Sequence, residues 1–285
     1  MPTIEELPPL RDIIARHRLS ARSRLGQHFL LDLNLTDRIA RLAIPLDGHV
    51  VIEAGPGPGG LTRSLLANGA ARVIAIERDR RCIEALGELI EAAEGRLVVI
   101  EGDALEVDEC ALVAEHAPGL PIKIVANLPY NIGTALLLKW FGIADRLDSL
   151  TLMFQKEVAA RLIAAPGSKA YGRLAVMTQW LCEVRRAFNL PASAFVPPPK
   201  VASSVVQLLP RREPLAPADR ATLERVTAAA FGQRRKMVRS SLKTLGVDVA
   251  ALLAEAGVEP TARAEDLPVE AFCALAQVLS ASQRA

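Results

Sequence analysis

Short apolar runs rich in β-branched residues alternate with helical stretches through the first half of the chain. Five such runs end or begin sharply against polar residues, at 50–53, 73–77, 97–101, 122–126 and 149–154. Between them, apolar side chains recur at intervals of three and four, as Ile83, Leu86 and Ile90 do. Largely apolar strands alternating with amphipathic helices predict a mostly parallel, doubly wound α/β sheet.

The pattern changes towards the C-terminus. Two further runs, at 184–190 and 203–209, flank the turn Pro197-Pro198-Pro199 and predict an antiparallel pair that brings the sheet to seven strands. Beyond them only helical periodicity is found, at 219–231, 236–245, 247–256 and 267–279. The expected organisation is an arm at 1–20, an α/β domain at 21–210 and a small all-helical domain at 211–285.

Composition narrows the class of protein. With 285 residues, 51% hydrophobic and 23% charged, the chain can bury a large core and does not look disordered. No apolar segment approaches the ~20 residues that span a bilayer. Cys82, Cys110, Cys182 and Cys273 stand apart from one another and from histidine, which argues against zinc and disulfides. We therefore expect a cytoplasmic protein without a metal or a membrane partner.

Positive charge is concentrated in two flanks of the chain. Residues 1–31 carry five arginines against three acids, and residues 211–243 carry nine basic residues against three acids. This distribution is typical of an enzyme that binds a polyanion around a near-neutral core, although a solvated face explains either flank alone.

Within the second flank the basic residues have helical spacing. Arg235, Arg239 and Lys243 recur at i, i+4 and i+8, with Arg234 and Lys236 at the start. On one continuous helix they would share one side and could contact RNA phosphates without reading sequence.

The most informative tetrapeptide is Asn127-Leu128-Pro129-Tyr130, which ends the apolar run 122–126. A strand end of this kind lies at the carboxyl edge of the sheet, where open α/β folds bind ligands. An amide oxygen and turn carbonyls can accept N–H bonds from a planar amine, and an aromatic ring can stack on its face. The motif therefore predicts a site for the exocyclic amine of a base, with an ordinary strand-to-loop turn as the alternative.

A glycine-rich loop follows the first strand. Glu53, Gly55 and Gly57 belong to the sequence EAGPGPGG at 53–60, which precedes a helix. Glycines allow the backbone to approach a ligand closely. The acidic residue that opens the loop would repel a phosphate, so it favours a cationic or amino-acid-bearing ligand.

Two more strands end in acids. Glu77, about 20 residues beyond the loop, is placed to accept hydrogen bonds from ribose hydroxyls, and Asp103 from an adenine amino group. Each acid could instead cap the helix that follows it. Because a Walker motif is absent from the sequence, we expect S-adenosylmethionine rather than a nucleotide.

With these motifs in place, the chain resembles the KsgA/Dim family of small-subunit ribosomal RNA adenine dimethyltransferases from about residue 19 to its end. The motifs are LGQHFL at 25–30, the loop at 53–60, Glu77, GDAL at 102–105, NLPYNI at 127–132, FQKEVA at 154–159, YGRL at 171–174, FVPPPKV at 195–201 and FGQRRK at 231–236.

The resemblance implies a Rossmann-like class I methyltransferase domain and dimethylation of two adjacent adenosines near the 3′ end of small-subunit rRNA. It implies S-adenosylmethionine as donor, the small ribosomal subunit as partner, a late assembly role and a monomer. It assigns the target base to Asn127, Leu128, Pro129, Tyr130 and Phe195, with Tyr130 and Phe195 sandwiching the flipped base. It assigns the cofactor to Gln27, His28, Leu30, Glu53, Gly55, Gly57, Glu77, Arg78, Asp103, Ala104 and Asn127.

One position departs from the family, which usually has asparagine where this chain has His28. Three other functions compete with the small-subunit activity. They are DNA adenine methylation, methylation of large-subunit rRNA of the kind that confers antibiotic resistance, and a mainly non-catalytic role as an assembly checkpoint. Leu128 and the basic C-terminal helices favour the small-subunit family, and intact Glu77, Asp103 and Asn127 favour catalysis.

Overall fold

The computed structural model describes residues 3–22 and 25–283 and divides them into two compact units. One unit contains the described residues up to Lys156 together with Arg185–Pro210. The other contains Glu157–Val184 and the described residues from Arg211 onwards.

Strands and helices alternate along the first unit, and the second consists mainly of helices. The strands are β1 (Phe29–Leu30), β2 (Val50–Ala54), β3 (Arg72–Glu77), β4 (Leu97–Glu101), β5 (Ile122–Asn127), β6 (Leu147–Gln155), β7 (Cys182–Leu190), β8 (Phe195–Val196) and β9 (Ser203–Pro210). The α-helices are α1 (Leu10–Arg16), α2 (Leu33–Leu42), α3 (Gly60–Ala67), α4 (Arg80–Ala85), α5 (Gly87–Ala92), α6 (Glu109–His116), α7 (Gly133–Trp140), α8 (Lys156–Leu162), α9 (Arg173–Leu181), α10 (Arg220–Gly232), α11 (Val238–Ser241), α12 (Val249–Glu255) and α13 (Val269–Ser282).

The predicted seven-stranded sheet is confirmed, in the order β4-β3-β2-β5-β6-β9-β7. β4, β3, β2, β5 and β6 run parallel, and β9 is antiparallel to β6. All five residues of β2 are buried, as expected for a strand covered on both faces. The chain moves outwards one way from β2 to β4 and the other way from β5 to β6. The switch point therefore lies between β2 and β5, where such sheets bind ligands.

The first described residues pack against the α/β unit. Ile13 of α1 and Leu19 are buried in a cluster with Phe29, Cys82 and Ala85. The Nη1 of Arg63 donates to the carbonyl of Pro8 at 2.8 Å. The arm at 1–20 is thus held on the unit over its described part, and Arg24, another basic residue of the N-terminal flank, lies outside the described residues.

The second unit has its own aromatic core. Phe231 of α10 lies 5.4 Å from Phe272 of α13 and 6.0 Å from Tyr171, measured between ring centroids. The segment Glu157–Val184 belongs to this unit because α9 packs against α10 and α13. The single boundary expected near residue 210 did not anticipate this, since strand-helix alternation counts α8 and α9 with the sheet.

Three further features bear on the expected class of protein. No helix in the described part of the chain has the length and apolarity to cross a membrane. Within the same residues, no group of three metal-ligating side chains is close enough to hold an ion. All four cysteines are free thiols.

Candidate active site

A cleft opens at the carboxyl ends of β2, β3, β4 and β5. It is lined by the segment at residues 25–30, the glycine loop, both strand-end acids and the Asn127-Leu128-Pro129-Tyr130 motif. Of the residues predicted to hold cofactor or base, the following line the cleft: Gln27, His28, Leu30, Glu53, Gly55, Gly57, Glu77, Arg78, Asp103, Ala104, Asn127, Leu128, Pro129 and Tyr130. These residues come from five separate segments, and the fold brings them together.

The glycine loop forms one wall through backbone conformations that other residues rarely adopt. Gly55 and Gly57 have φ angles of 74° and 56°. A Cβ on Gly57 would lie 3.2 Å from the Phe29 ring, and a Cβ on Gly55 3.6 Å from the Pro129 ring. The loop therefore lies close against both the N-terminal segment and the asparagine motif, leaving the cleft as a narrow cradle.

Glu53, at the start of this loop, has a buried carboxyl. It is 1% exposed, and the hydroxyl of Thr62 donates to its Oε2 at 2.7 Å. Burial, with a smaller contribution from the charge of Glu77, raises the pKa of this carboxyl to about 8. A cationic ligand in the cleft would favour the ionised form, which fits the amino-acid-bearing ligand expected from the sequence.

Glu77 ends β3 with its carboxylate fixed by three backbone amides. Gly57 N donates to Oε2 at 3.1 Å, while Arg78 N and Asp79 N donate to Oε1 at 2.9 and 2.8 Å. Burial nevertheless raises the pKa of this carboxyl. A carboxylate offers about four acceptor positions, so one remains for a hydroxyl of a bound sugar.

Asp103 follows β4 and faces the same cleft. Its Oδ1 accepts from Leu105 N at 3.0 Å and its Oδ2 from the Arg78 guanidinium at 2.9 Å. The backbone bond orients the carboxylate, and the side chain keeps 20% exposure, so its remaining acceptor positions are accessible.

Asn127, the last residue of β5, has an amide whose orientation is set by one contact. Its Nδ2 donates to the main-chain carbonyl of His28 at 3.3 Å. No described residue donates to its Oδ1. The amide thus presents an acceptor to a ligand, as holding an amine requires.

The ring of Tyr130 is fixed at both ends. Its hydroxyl is hydrogen-bonded to the hydroxyl of Ser203, the first residue of β9. The imidazole of His28 lies 5.3 Å from the ring, and its Nδ1 donates to the Pro197 carbonyl at 2.8 Å. His28 therefore supports Tyr130 by its ring and Asn127 by its carbonyl.

The segment at residues 25–30 crosses the cleft with little clearance. A Cβ on Gly26 would lie 2.6 Å from Oδ1 of Asn131, and Gly26 has a φ of 64°. The Nε2 of Gln27 donates to Asp79 at 3.2 Å, and its Oε1 accepts from Arg22 N at 2.9 Å. The Gln27 amide is therefore used to hold this segment in place at the edge of the cleft.

Comparison with known proteins shows to which family the chain belongs. A family model described as ribosomal RNA adenine dimethylase matches residues 18–281. The chain belongs to the ribosomal RNA adenine dimethylase family. It is 60% identical over 98% of its length to ribosomal RNA small subunit methyltransferase A of Xanthobacter autotrophicus, covering 96% of that protein. It is 62% identical over 97% of its length to the protein of that name in Paramagnetospirillum magneticum, again covering 96%.

Solved structures agree with this family. A dimethyladenosine transferase from Plasmodium falciparum superposes with a TM-score of 0.76 at 27% identity, covering 90% of this chain and 98% of the other. The 23S rRNA methyltransferase ErmE gives 0.66 at 29% identity, with 88% and 99% covered. The chain is therefore an enzyme with the Rossmann-like methyltransferase fold.

This dimethylase-family chain uses S-adenosylmethionine, and the cleft fits that group. A nucleoside needs acceptors for its sugar and its base, which Glu77 and Asp103 offer from adjacent strands. The amino-acid portion carries positive charge, which suits Glu53. The backbone of the glycine loop lines the cleft at Gly55 and Gly57, where a Cβ would crowd Pro129 and Phe29.

One predicted base-binding residue is not brought to the cleft. Phe195 is 1% exposed and belongs to the main apolar cluster, in the short sheet where β8 pairs with β1. In this arrangement its ring packs in the core because strand alternation turns it inwards opposite Leu30. The expected part of Phe195 in a sandwich around the base stays a prediction. Among the described residues predicted for the site, the rings that line the cleft are those of Tyr130 and His28.

The basic residues of the second unit do not lie on one continuous helix, contrary to the prediction. Met237 is extended and pairs with Arg263, so the segment expected as one helix is split into a turn, α11 and a 3-10 helix at Leu242–Leu245. Arg239 lies on α11 and Lys243 on the 3-10 helix, and both are exposed. Arg235 and Lys236, also exposed, lie in the turn before Met237.

Arg234 differs from the other four basic residues. Its Nε donates to Glu265 at 2.8 Å and its Nη2 to the Lys169 carbonyl at 2.7 Å. These bonds tie three parts of the second unit together, so Arg234 has a structural partner that the sequence pattern did not reveal.

The sequence interpretation also missed three residues that shape the cleft: Asp79, Lys139 and Ser203. Asp79 is 3% exposed, and the bond from Arg81 lowers its pKa to about 2. Lys139 donates to the backbone of the loop after β4. A lone lysine within the apolar segment GTALLLKW was a usable signal, because a cation that is largely removed from water needs partners.

Proposed function

We propose that this enzyme transfers two methyl groups to the exocyclic nitrogen of each of two adjacent adenosines near the 3′ end of small-subunit rRNA. We further propose that it acts as a monomer in the cytoplasm on the small ribosomal subunit, late in assembly. The observation that carries the proposal is the Asn127 amide: its Nδ2 is bound to His28, so its Oδ1 is offered to an amine beside Tyr130.

Residues at one end of the cleft bind the cofactor, and residues at the other end bind the target base. Glu77 and Asp103 hold the sugar and adenine of the cofactor, and Glu53 faces its charged amino-acid portion. When bound, S-adenosylmethionine supplies a methyl group carried on a sulfonium. Asn127 Oδ1 and the Leu128 carbonyl accept N–H bonds from the target amine, and Tyr130 stacks on its ring.

Catalysis by these residues is chiefly positioning and electrostatic. The amine of adenine is a weak nucleophile because its lone pair is delocalised into the ring. Two acceptors that draw the nitrogen towards tetrahedral geometry localise that lone pair and stabilise the positive charge that develops on it. Orienting the amine can contribute up to roughly 7–11 kcal/mol to lowering the barrier.

The small-subunit substrate is favoured by the relatives. Proteins about 60% identical to this chain are named small subunit methyltransferases, whereas the 23S rRNA enzyme shares 29%. Leu128 in the motif also favours that substrate, since the resistance-type enzymes have isoleucine there.

The test is transfer of tritium from labelled S-adenosylmethionine to small subunits that lack the modification, followed by nucleoside identification. We expect label in dimethyladenosine of small-subunit rRNA, and about 10²–10³ times slower labelling with Asn127→Ala. Label confined to large-subunit rRNA or DNA would reassign the substrate. Tight subunit binding without label would leave only the assembly role.

A further inference from the structure

Lys139 is the single charged residue of α7, the helix that follows the asparagine motif. Its ammonium donates to three acceptors: the carbonyl of Ala104 at 2.7 Å, Oε1 of Glu109 at 2.8 Å and the carbonyl of Val107. Three bonds use all the donors that a lysine has. A cation that is only 25% exposed is thus fully committed to the loop after β4 and to the start of α6.

The first of these bonds reaches Asp103 through one peptide group. The Ala104 carbonyl and the Leu105 N–H belong to the same planar unit and point to opposite sides of it. Leu105 N donates to Oδ1 of Asp103 at 3.0 Å. By binding the Ala104 carbonyl, Lys139 fixes the peptide plane between Ala104 and Leu105. The N–H on the other side of that plane holds the Asp103 carboxylate.

Among the described residues, no backbone–backbone hydrogen bond of the turn at 103–107 involves the peptide group between Ala104 and Leu105. Glu106 N and Val107 N donate to the Asp103 carbonyl at 2.9 and 3.3 Å, which closes the turn but leaves the carbonyls of Ala104 and Val107 to Lys139. Glu109 is itself fixed, since Trp140 Nε1 donates to the same Oε1 at 2.6 Å. The ammonium therefore sits in a rigid socket.

We propose that Lys139 is a positioning residue that aims the Asp103 carboxylate at the adenine amino group of the cofactor and thereby sets the preference for adenine. The inference rests on the proposed function for the role of Asp103. Hypoxanthine carries a carbonyl oxygen where adenine carries an amino group. A correctly aimed carboxylate accepts a bond from adenine and opposes the oxygen of hypoxanthine.

The experiment compares S-adenosylhomocysteine with S-inosylhomocysteine, using calorimetric dissociation constants for the full-length protein. We expect the native protein to prefer the adenosyl ligand by roughly tenfold or more, as for loss of a bond to a charged acceptor. In Lys139→Met the preference is expected to fall to about threefold or less, because the adenosyl ligand loses most. If Lys139→Met does not fold, Lys139→Gln is expected to show a smaller fall in the same direction, because its amide can replace only part of the bonds of the ammonium.

Lys123 provides a matched control. Its ammonium is also committed to backbone carbonyls, those of Ala43 at 2.8 Å and Pro45 at 2.6 Å, and the residue is 5% exposed. Neither carbonyl belongs to the cleft lining. Lys123→Met is expected to lower the melting temperature while leaving the preference for adenine unchanged.

The outcomes separate this inference from the proposed function. If both Lys139 variants weaken the two ligands by the same factor, Lys139 is merely structural and the inference is overturned. If the native protein binds neither ligand, the proposed function itself fails. If the native protein binds both ligands equally, the role of Asp103 fails, and this inference fails with it.

Discussion

The side-chain amide of Asn127 donates to the main-chain carbonyl of His28, 99 positions earlier in the chain, across 3.3 Å. Because a carbonyl only accepts, the bond requires the amide nitrogen to face His28 and the amide oxygen to face the ligand. The N-terminal segment therefore decides which end of the amide meets the base.

This orientation predicts a specific kinetic defect. Asn127→Ala removes the acceptor for the target amine and is expected to reduce kcat by about 10²–10³, as loss of one preorganised polar group does. The dissociation constant for S-adenosylhomocysteine should change little, because Glu77 and Asp103 remain. Single-turnover methyl transfer and calorimetry measure the two quantities on the same protein.

A parallel variant sharpens the test. Asn127→Asp keeps the size of the side chain but replaces the donor, so the contact with the His28 carbonyl becomes two opposed acceptors. We expect a loss of rate together with lower thermal stability. Loss of cofactor binding in proportion to the loss of rate in the alanine variant would refute the assigned role.

The hydroxyls of Tyr130 and Ser203 are expected to act as one unit. Burial raises the pKa of Tyr130, so the phenol stays protonated and hydrogen-bonded, and Ser203 is fully buried. Tyr130→Phe and Ser203→Ala should each reduce kcat/KM for the subunit by roughly tenfold or less. The double variant should be no worse than the poorer single one. Independent, additive effects would show that the bond does not position the ring.

The seven strands of the main sheet could be predicted to within one or two residues because apolar runs such as 122–126 stop abruptly at a polar residue, whereas the short strands β1 and β8 were not predicted. The cleft could be anticipated because Glu77, Asp103 and Asn127 each follow such a run, and parallel strands end at one edge. What local pattern cannot show is which long-range partner a residue finds. The contacts of Asn127 with His28 and of Tyr130 with Ser203 link distant parts of the chain.

The burial of Phe195 and the break in the basic segment could not be predicted from the sequence, for related reasons. The sequence of a motif does not show on which face of its strand an aromatic side chain lies. Pairing of β8 with β1 places Phe195 in the apolar core. Helical spacing of Arg235, Arg239 and Lys243 describes side chains, whereas continuity of a helix is a property of the backbone. The extended conformation of Met237, which pairs with Arg263, interrupts it.

Arg234 and its basic neighbours are expected to give different phenotypes. Arg234→Gln breaks the bonds to Glu265 and the Lys169 carbonyl, and we expect a loss of roughly 1–2 kcal/mol in the free energy of unfolding. Arg239→Gln and Lys243→Gln should leave stability unchanged and weaken subunit binding. Each should lower the slope of log affinity against log salt by about 1.

Arg212 gives a control for the salt experiment, since it is exposed in the same basic flank but lies outside the proposed set. Arg212→Gln is expected to leave the slope unchanged. An equal change for Arg212, Arg239 and Lys243 would mean that net charge, not contact with phosphates, determines binding.

The raised pKa of Glu53 predicts that the stability of the folded protein depends on pH. Its pKa is about 8 in the folded protein against 4.5 for the free side chain, because burial disfavours the charged form. Between these values the unfolded chain has released its proton and the folded chain retains it. The contribution of Glu53 to the free energy of unfolding therefore falls by about 1.4 kcal/mol per pH unit as the pH rises from 4.5 to about 8.

The variant Glu53→Gln tests this dependence, because its side chain cannot titrate and its amide oxygen can still accept from Thr62. The stability of the variant relative to the native protein should thus rise steadily from pH 5 to pH 8, as measured by chemical denaturation. A difference that stays constant over this range would show that Glu53 is ionised in the folded protein and that the cleft holds a negative charge before any ligand arrives.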